Sequence, residues 1–361
     1  MRRFLDYYRQ FQELDPREVS RSLRQRRREE RAREVVLVGE LDLSRTGWHE
    51  PPHPESVNAA TFALRRAMNA YPDPAAGAVR ELVAARHGLD TAQIAVGHGA
   101  AELLEDACSA LLAGGGELLV PWPSWRPLPE LAARAGGRPV PVPDSGLDAL
   151  AARVGDATRA VALCSPNDPT GAALEPEAVR AFAAALPENV WVLLDEALAE
   201  FREPGHDAAG LVAQLPNLLV FRTFSKAHAM AGFRIGYVLG PAEMAARLAP
   251  SFSINAPAQA AAEWALEHGD PVIARRRALA ARERDRLAAA LAGTPLSFPP
   301  GEASFVWLGS EEHDGRALAG HLAARRIHVA PGQQWGDERR VRVTLRDAPA
   351  TDRLVAALRE L

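Results

Sequence analysis

Between about residue 57 and residue 240 the chain alternates helical and strand-like patterns, and this alternation does most to limit what it can fold into. Short apolar runs recur as IAV (94–96), ELLVPW (117–122), RPVPV (138–142), RAVALCS (159–165), VWVLLDE (190–196), LLVFRTF (218–224) and IGYVLG (235–240), each bounded by turn residues. Helical patterns separate most of them. A run that is apolar throughout belongs to a strand covered on both faces, and intervening helices are what parallel neighbours need for their crossovers. The expected architecture is therefore α/β: a large domain with a mostly parallel seven-stranded sheet between helices. After about residue 241 the rhythm changes. Long Ala- and Arg-rich helices run through 256–293, then ASFVWLG (303–309), RIHVA (326–330) and RRVRVTL (339–345) read as strands before a closing helix. This predicts a smaller α+β domain. The expected division is an N-terminal arm over 1–45 that packs with the small domain, a large domain over 46–245 and a small domain over 246–361. Within the arm, residues 1–34 read as a helix with a solvated face, carrying Arg26, Arg27, Arg28 and Arg31 beside Glu29 and Glu30, and 35–44 as an extended segment.

One compositional fact bears on chemistry. Of 42 basic residues, Lys226 is the only lysine. A surface cation can be Arg or Lys, so a bias toward arginine removes lysines wherever charge alone matters. A primary amine is kept where an imine must form, because a guanidinium cannot form one. The rest of the composition excludes rather than assigns. A net charge of −4 gives no reason to expect nucleic acid or an anionic membrane as partner. Two cysteines support neither a disulfide framework nor a metal cluster, and a reducing cytoplasm is the expected compartment. No set of His, Cys or carboxylate residues has metal-ligand spacing.

In an open α/β sheet, ligands gather at the carboxyl ends of the strands. Several residues of interest fall there. Gly97-His98-Gly99 follows a strand and opens a helix, whose free N–H groups suit a phosphate. Asp195 ends one strand. Thr223, Ser225 and Lys226 follow the next, and Arg234 comes eight residues after the lysine. Together these match the needs of pyridoxal 5'-phosphate (PLP): an amine, a carboxylate for the ring nitrogen, an anion cradle and a flat partner for the ring. Lys226 supplies the amine and Asp195 the carboxylate. Gly99, Ala100, Ala101, Ser225 and Arg234 supply the cradle, and Trp125 stacks on the ring.

The motifs YPDP (71–74), GHGA (97–100), PSW (123–125), PNDPTG (166–171), LLDEALAEF (193–201), TFSKAHAMAGFRIGY (223–237) and VRVT (341–344) stand in an order and at a spacing that resemble the fold-type I, class I/II aminotransferases, and within them the histidinol-phosphate aminotransferase-like branch. The resemblance runs from about residue 40 to the end. It implies that Lys226 forms the Schiff base and shuttles the proton, that Asp195 pairs with the pyridine nitrogen, and that Thr223 joins the phosphate cradle. It implies that Tyr71 reaches the phosphate of a neighbouring subunit, which makes a homodimer with shared active sites the expected assembly. Arg342 falls where such proteins bind a substrate carboxylate or phosphate. The implied reaction moves an amino group between an amino acid, or a phosphorylated amine, and a 2-oxo acid. An alternative is decarboxylation or another Cα-bond cleavage on the same scaffold, threonine-phosphate decarboxylase-like. A non-catalytic PLP-binding regulator is a third reading, and the 34-residue arm is too short and too charged for the helix-turn-helix it would need.

The chain departs from the family pattern in places. Asp168 replaces the asparagine, and Leu198 the tyrosine, that normally donate hydrogen bonds to the cofactor's phenolic oxygen. Leu198 cannot donate, and an ionised Asp168 repels a phenolate, so the imine is expected to keep its proton to a higher pH than usual. TGWHEPP (46–52) replaces an Asn-rich stretch near the substrate, which would turn Trp48 and His49 toward the substrate. His228 stands where an aromatic or apolar residue is common.

Overall fold

The computed structural model describes residues 39–143 and 146–361, together with Gln25. The charged helix expected over residues 1–34, Gln25 apart, lies outside the described residues.

All seven apolar runs of the first part of the chain are strands of one sheet. Its spatial order is Ile94–Gly97, Gly236–Leu239, Leu218–Thr223, Trp191–Asp195, Thr158–Cys164, Glu117–Pro121 and Arg138–Val142. The strand Gly236–Leu239 runs antiparallel to both its neighbours, and the other pairs are parallel. Strand side chains alternate between faces, so a run apolar throughout feeds two cores at once. Val161 and Leu163 enter one core with Val192, Leu194 and Val220. Ala160, Ala162, Leu193, Leu219 and Phe221 enter the other, on the opposite face. Leu193, Leu194, Val220 and Phe221 are fully buried, each gaining about 2 kcal/mol from removal of its side chain from water.

A second, antiparallel sheet holds Leu296–Ser297, Phe305–Ser310, Arg340–Thr344 and Ala330–Pro331. The helices Asp270–Leu291, Gly315–Ala323 and Ala348–Leu358 contribute to its own core, with Leu287, Leu318, Leu322 and Leu354. Leu41 and Leu43 lie in that core, and Leu41–Asp42 pairs in parallel with Ile327–His328.

The long helical stretch over 256–293 is broken at Gly269 into Ala256–His268 and Asp270–Leu291. The first of these belongs to the large part. Ile254, Ala258, Ala261, Ala262 and Ala265 share the core of the large sheet, close to the helices Pro54–Ala67 and Gly77–His87. Its small side chains allow the close approach, and the periodicity of an Ala-rich helix does not say which core receives it. Asp270–Leu291 instead contributes Leu287 and Leu291 to the core of the smaller sheet.

Candidate active site

The carboxyl ends of the central strands open into a cavity of about 250 Å³. Its wall includes Ala100, Ala101, Trp125, Asp168, Asp195, Leu198, Thr223, Ser225, Lys226 and Arg234. These residues span more than 130 positions of sequence. They meet because parallel strands end on the same edge of the sheet.

Asp195 is the last residue of Trp191–Asp195 and is 8% exposed. The Ala197 N–H donates to its Oδ1 at 2.9 Å. Burial pushes its carboxyl up to about 6, against the stabilising influence of that N–H and of Lys226. A carboxylate held there gains from any cation brought beside it. Lys226 follows Leu218–Thr223. Burial pulls its amine below the usual lysine range, opposed by Asp168 and Asp195. Nζ donates to the Thr46 hydroxyl. A lysine held in this way is closer to the free-amine form that a nucleophile needs.

The opposite end of the cavity is built for an anion. Gly99 caps the helix Ala100–Leu112 with φ +97° and ψ 160°, and no side chain caps the first turn. The helix therefore presents unsatisfied N–H groups to the cavity. A Cβ on Gly99 would lie 2.5 Å from Arg234 Nη2, so the missing side chain is what lets the guanidinium close over the helix end. Arg234 is anchored by Nη1 to the Ala231 carbonyl at 3.0 Å and by Nη2 to the His98 carbonyl at 3.2 Å. Nη1 also reaches the Ser225 hydroxyl at 3.4 Å, and the Thr223 and Ser225 hydroxyls are 3.0 Å apart. Helix end, guanidinium and hydroxyls thus converge on one point, a donor set that fits a phosphate.

Beneath the cavity lies a buried ionic cluster. Arg222 Nε donates to Glu196 Oε2 at 2.9 Å, and the same guanidinium stands 3.5 Å from Glu200 and 3.1 Å from Asp207. The Ala208 N–H donates to Glu196 Oε1 at 2.7 Å. Burial raises the carboxyls of Glu196 and Glu200, and Arg222 opposes it. This cluster fixes the segment that follows Asp195.

Other expected site residues lie elsewhere. Tyr71 is 99% exposed and does not reach the cavity of its own chain. Trp48 and His49 do not line the cavity. Trp48 packs behind Leu198 in the cluster of Phe201, Ala227 and Phe305, stacked on Phe201 at 5.7 Å with the Arg276 guanidinium 5.6 Å above it. The half-buried Trp48 ring gains from this apolar and aromatic contact. His49 lies beside it, with Nε2 3.9 Å from Asp347. His228 is enclosed against Phe224, and burial lowers its pKa to about 3.

Sequence reasoning passed over Thr46, which holds the Lys226 amine, and the surroundings of Arg342. Thr46 belongs to the unusual 46–52 stretch, and its hydroxyl is the group of that stretch that meets Lys226. Arg342 is 8% exposed. It donates through Nη1 to Asp168 and through Nη2 to the Ser44 carbonyl at 2.8 Å. This modifies the expectation for the imine. Arg342 meets the charge of Asp168, which weakens its repulsion of a phenolate, while Leu198 remains in the wall and donates nothing.

Among the described residues no group of His, Cys, Asp and Glu side chains could hold a metal ion, and no helix is long and apolar enough to cross a membrane. An amine, a buried carboxylate on the neighbouring strand and an anion cradle at a helix end are the groups that a PLP site requires. The family model for aminotransferase class I and II matches residues 43–358, and the chain belongs to that family. It is 41% identical over 266 residues to a histidinol-phosphate aminotransferase of Rubrobacter xylanophilus, covering 71% of this chain and 75% of that one. It is 36% identical over 313 residues to an aromatic amino acid aminotransferase of Rhodococcus opacus, covering 84% and 86%. The fold is similar to that of histidinol-phosphate aminotransferase from Sinorhizobium meliloti in complex with PLP, with a TM-score of 0.80 and 27% identity over 92% of this chain and 93% of that one. The protein is a PLP-dependent aminotransferase, and the decarboxylase alternative gains nothing from these relatives.

Proposed function

We propose that this enzyme transfers an amino group between an aromatic or imidazole-bearing amine or amino acid and a 2-oxo acid, with Lys226 as the residue that joins PLP as a Schiff base and moves the proton. The observation that carries this reading is the amine of the only lysine, buried in the cavity that also holds Asp195 and the anion cradle. The substrate class is supported by the names of the relatives, histidinol-phosphate and aromatic amino acid aminotransferases. When bound, PLP supplies an electron sink for the carbon that bears the amine.

The residues divide the work. Ser225, Thr223, Arg234 and the N–H groups of Ala100 and Ala101 hold the phosphate. Asp195 keeps the ring nitrogen protonated, and the raised affinity of its carboxyl for a positive partner is why burial suits it to the task. Trp125 covers the ring. Thr46 holds the Lys226 amine when it is free, ready to accept or return a proton. Arg342 anchors a substrate carboxylate or phosphate. Two chains form a homodimer, in which Tyr71 reaches the partner's phosphate. Exposed Val57, Phe62, Leu64, Met68, Tyr71 and Phe252 support that assembly, since so many large exposed apolar groups suit a covered surface. The compartment is the cytoplasm.

The reading is tested by titrating the purified holoenzyme with amino donors and following the visible cofactor band. Conversion to the pyridoxamine form by aromatic or imidazole donors, reversed by 2-oxo acids and lost in Lys226→Ala, is the expected result. Carbon dioxide release with no dependence on a 2-oxo acid would refute it.

A further inference from the structure

The guanidinium assigned to a substrate carboxylate already holds a carboxylate. Arg342 Nη1 donates to Asp168 Oδ1 and Nη2 to the Ser44 carbonyl, while the Phe305 and Trp335 rings lie 5.4 and 4.9 Å from its carbon Cζ. The two side chains of the pair are 10% and 15% exposed, so water screens them little. Asp168 is also part of the cavity wall, with Asp195 nearby. An arginine recognises a carboxylate by offering N–H groups and unmet positive charge. Here Asp168 takes up the charge and one terminal nitrogen, and the Ser44 carbonyl takes the other. An incoming carboxylate either displaces Asp168, leaving it in the wall without its cation, or lies beside it as a like charge. An amine whose neighbouring group is uncharged meets neither cost, and its ammonium form enters a wall that carries Asp168 and Asp195.

We propose that Asp168 is a specificity-determining residue: an internal occupant of the Arg342 anion site that makes the enzyme prefer amino donors with no carboxylate on the carbon bearing the amine. The donor class is the primary amine or amino alcohol. A 2-oxo acid enters by displacing Asp168 from Arg342 and binds weakly. The proposal rests on the amino-transfer reading, with Arg342 as the anchor for a carboxylate.

Two measurements on the holoenzyme test it. The first is calorimetric titration with 3-phenylpropionate, a carboxylate that has no amine and cannot react. Asp168→Asn keeps the shape and a carbonyl acceptor for Nη1 but removes the charge, and is expected to bind the probe about tenfold to a hundredfold more tightly than the natural protein. Asp168→Ala, which also frees Arg342, moves the same way. Equal or weaker binding in both variants overturns the proposal. The second is stopped-flow conversion of the cofactor band by the matched pairs phenylalaninol with phenylalanine and histidinol with histidine. The natural protein is expected to favour the amino alcohol in kcat/KM, and Asp168→Asn to shift the ratio toward the amino acid by about tenfold or more. A natural protein that favours the amino acid, with a ratio unchanged by the substitution, overturns the proposal. If no donor converts the band in any of the proteins, the amino-transfer reading fails, and the calorimetric titration alone decides the role of Asp168.

Discussion

Replacing Gly99 by alanine separates two effects that meet at one atom. The backbone there has φ +97° and ψ 160°, a conformation that residues with a Cβ avoid, and holding alanine in it costs about 1–3 kcal/mol. That cost falls on the fold and appears in urea unfolding of the apoprotein. The second effect falls on binding. The new Cβ would stand 2.5 Å from Arg234 Nη2. The tip of an arginine is flexible, so the clash itself is relieved cheaply, but the guanidinium leaves the helix end and gives up its bond to the His98 carbonyl. A charge-assisted bond to phosphate lost in this way is worth about 1.5–3 kcal/mol, which is roughly a tenfold to hundredfold weaker PLP affinity. Fluorescence titration of the apoprotein with PLP, in competition with inorganic phosphate, reads this directly. Arg234→Gln serves as the comparator. It is expected to show the loss of affinity while keeping more of the stability, because its backbone is unchanged. A Gly99→Ala protein with both the affinity and the unfolding free energy of the natural chain would refute the reasoning.

Two further outcomes follow from buried charge. Asp195 has its carboxyl pushed up to about 6 from an ordinary 3.8, so between those values the native apoprotein keeps a proton that the unfolded chain has released. Stability contributed by this group therefore falls as pH rises through that window and levels off above about 6. Relative to Asp195→Asn, the natural apoprotein should lose about 2.4 kcal/mol between pH 4 and pH 7, measured by urea unfolding at each pH, and a constant difference across that range would contradict it. Glu196→Ala removes the partner of Arg222 Nε and the acceptor for the Ala208 N–H inside the fold. With Glu200 and Asp207 still beside the guanidinium, the expected destabilisation is about 3 kcal/mol, the lower end for a broken buried pair. A change within the scatter of denaturation curves would show that the cluster is not what holds this segment.

Much of the fold was legible because its signal is local. Each apolar run over 94–240 is long enough for one strand, is bounded by turn residues and alternates with helices, and all seven are strands of the large sheet. That Lys226, Asp195, Ser225 and Arg234 share one cavity follows from a related rule: strand ends are visible in sequence, and parallel strands bring their ends to one edge. Which core receives the helix Ala256–His268 is not legible, because alanines every few residues describe a helix that fits closely against something without naming it. Trp48 and His49 were placed by their neighbourhood in sequence. In the folded chain the Trp48 ring lies in the apolar cluster behind Leu198, and Thr46, two residues earlier, is the side chain that touches Lys226.

The chain alone thus determined its class and its cofactor, since composition, strand ends and residue chemistry are properties of short segments. Tertiary structure decided what those residues face. Asp168 and Arg342 are 174 positions apart, and no local pattern relates them. Only the docking of the small sheet beside the large one brings the guanidinium onto that carboxylate. The sequence marks Asp168 as a repulsive charge beside the cofactor, whereas the fold makes it the counter-ion of Arg342.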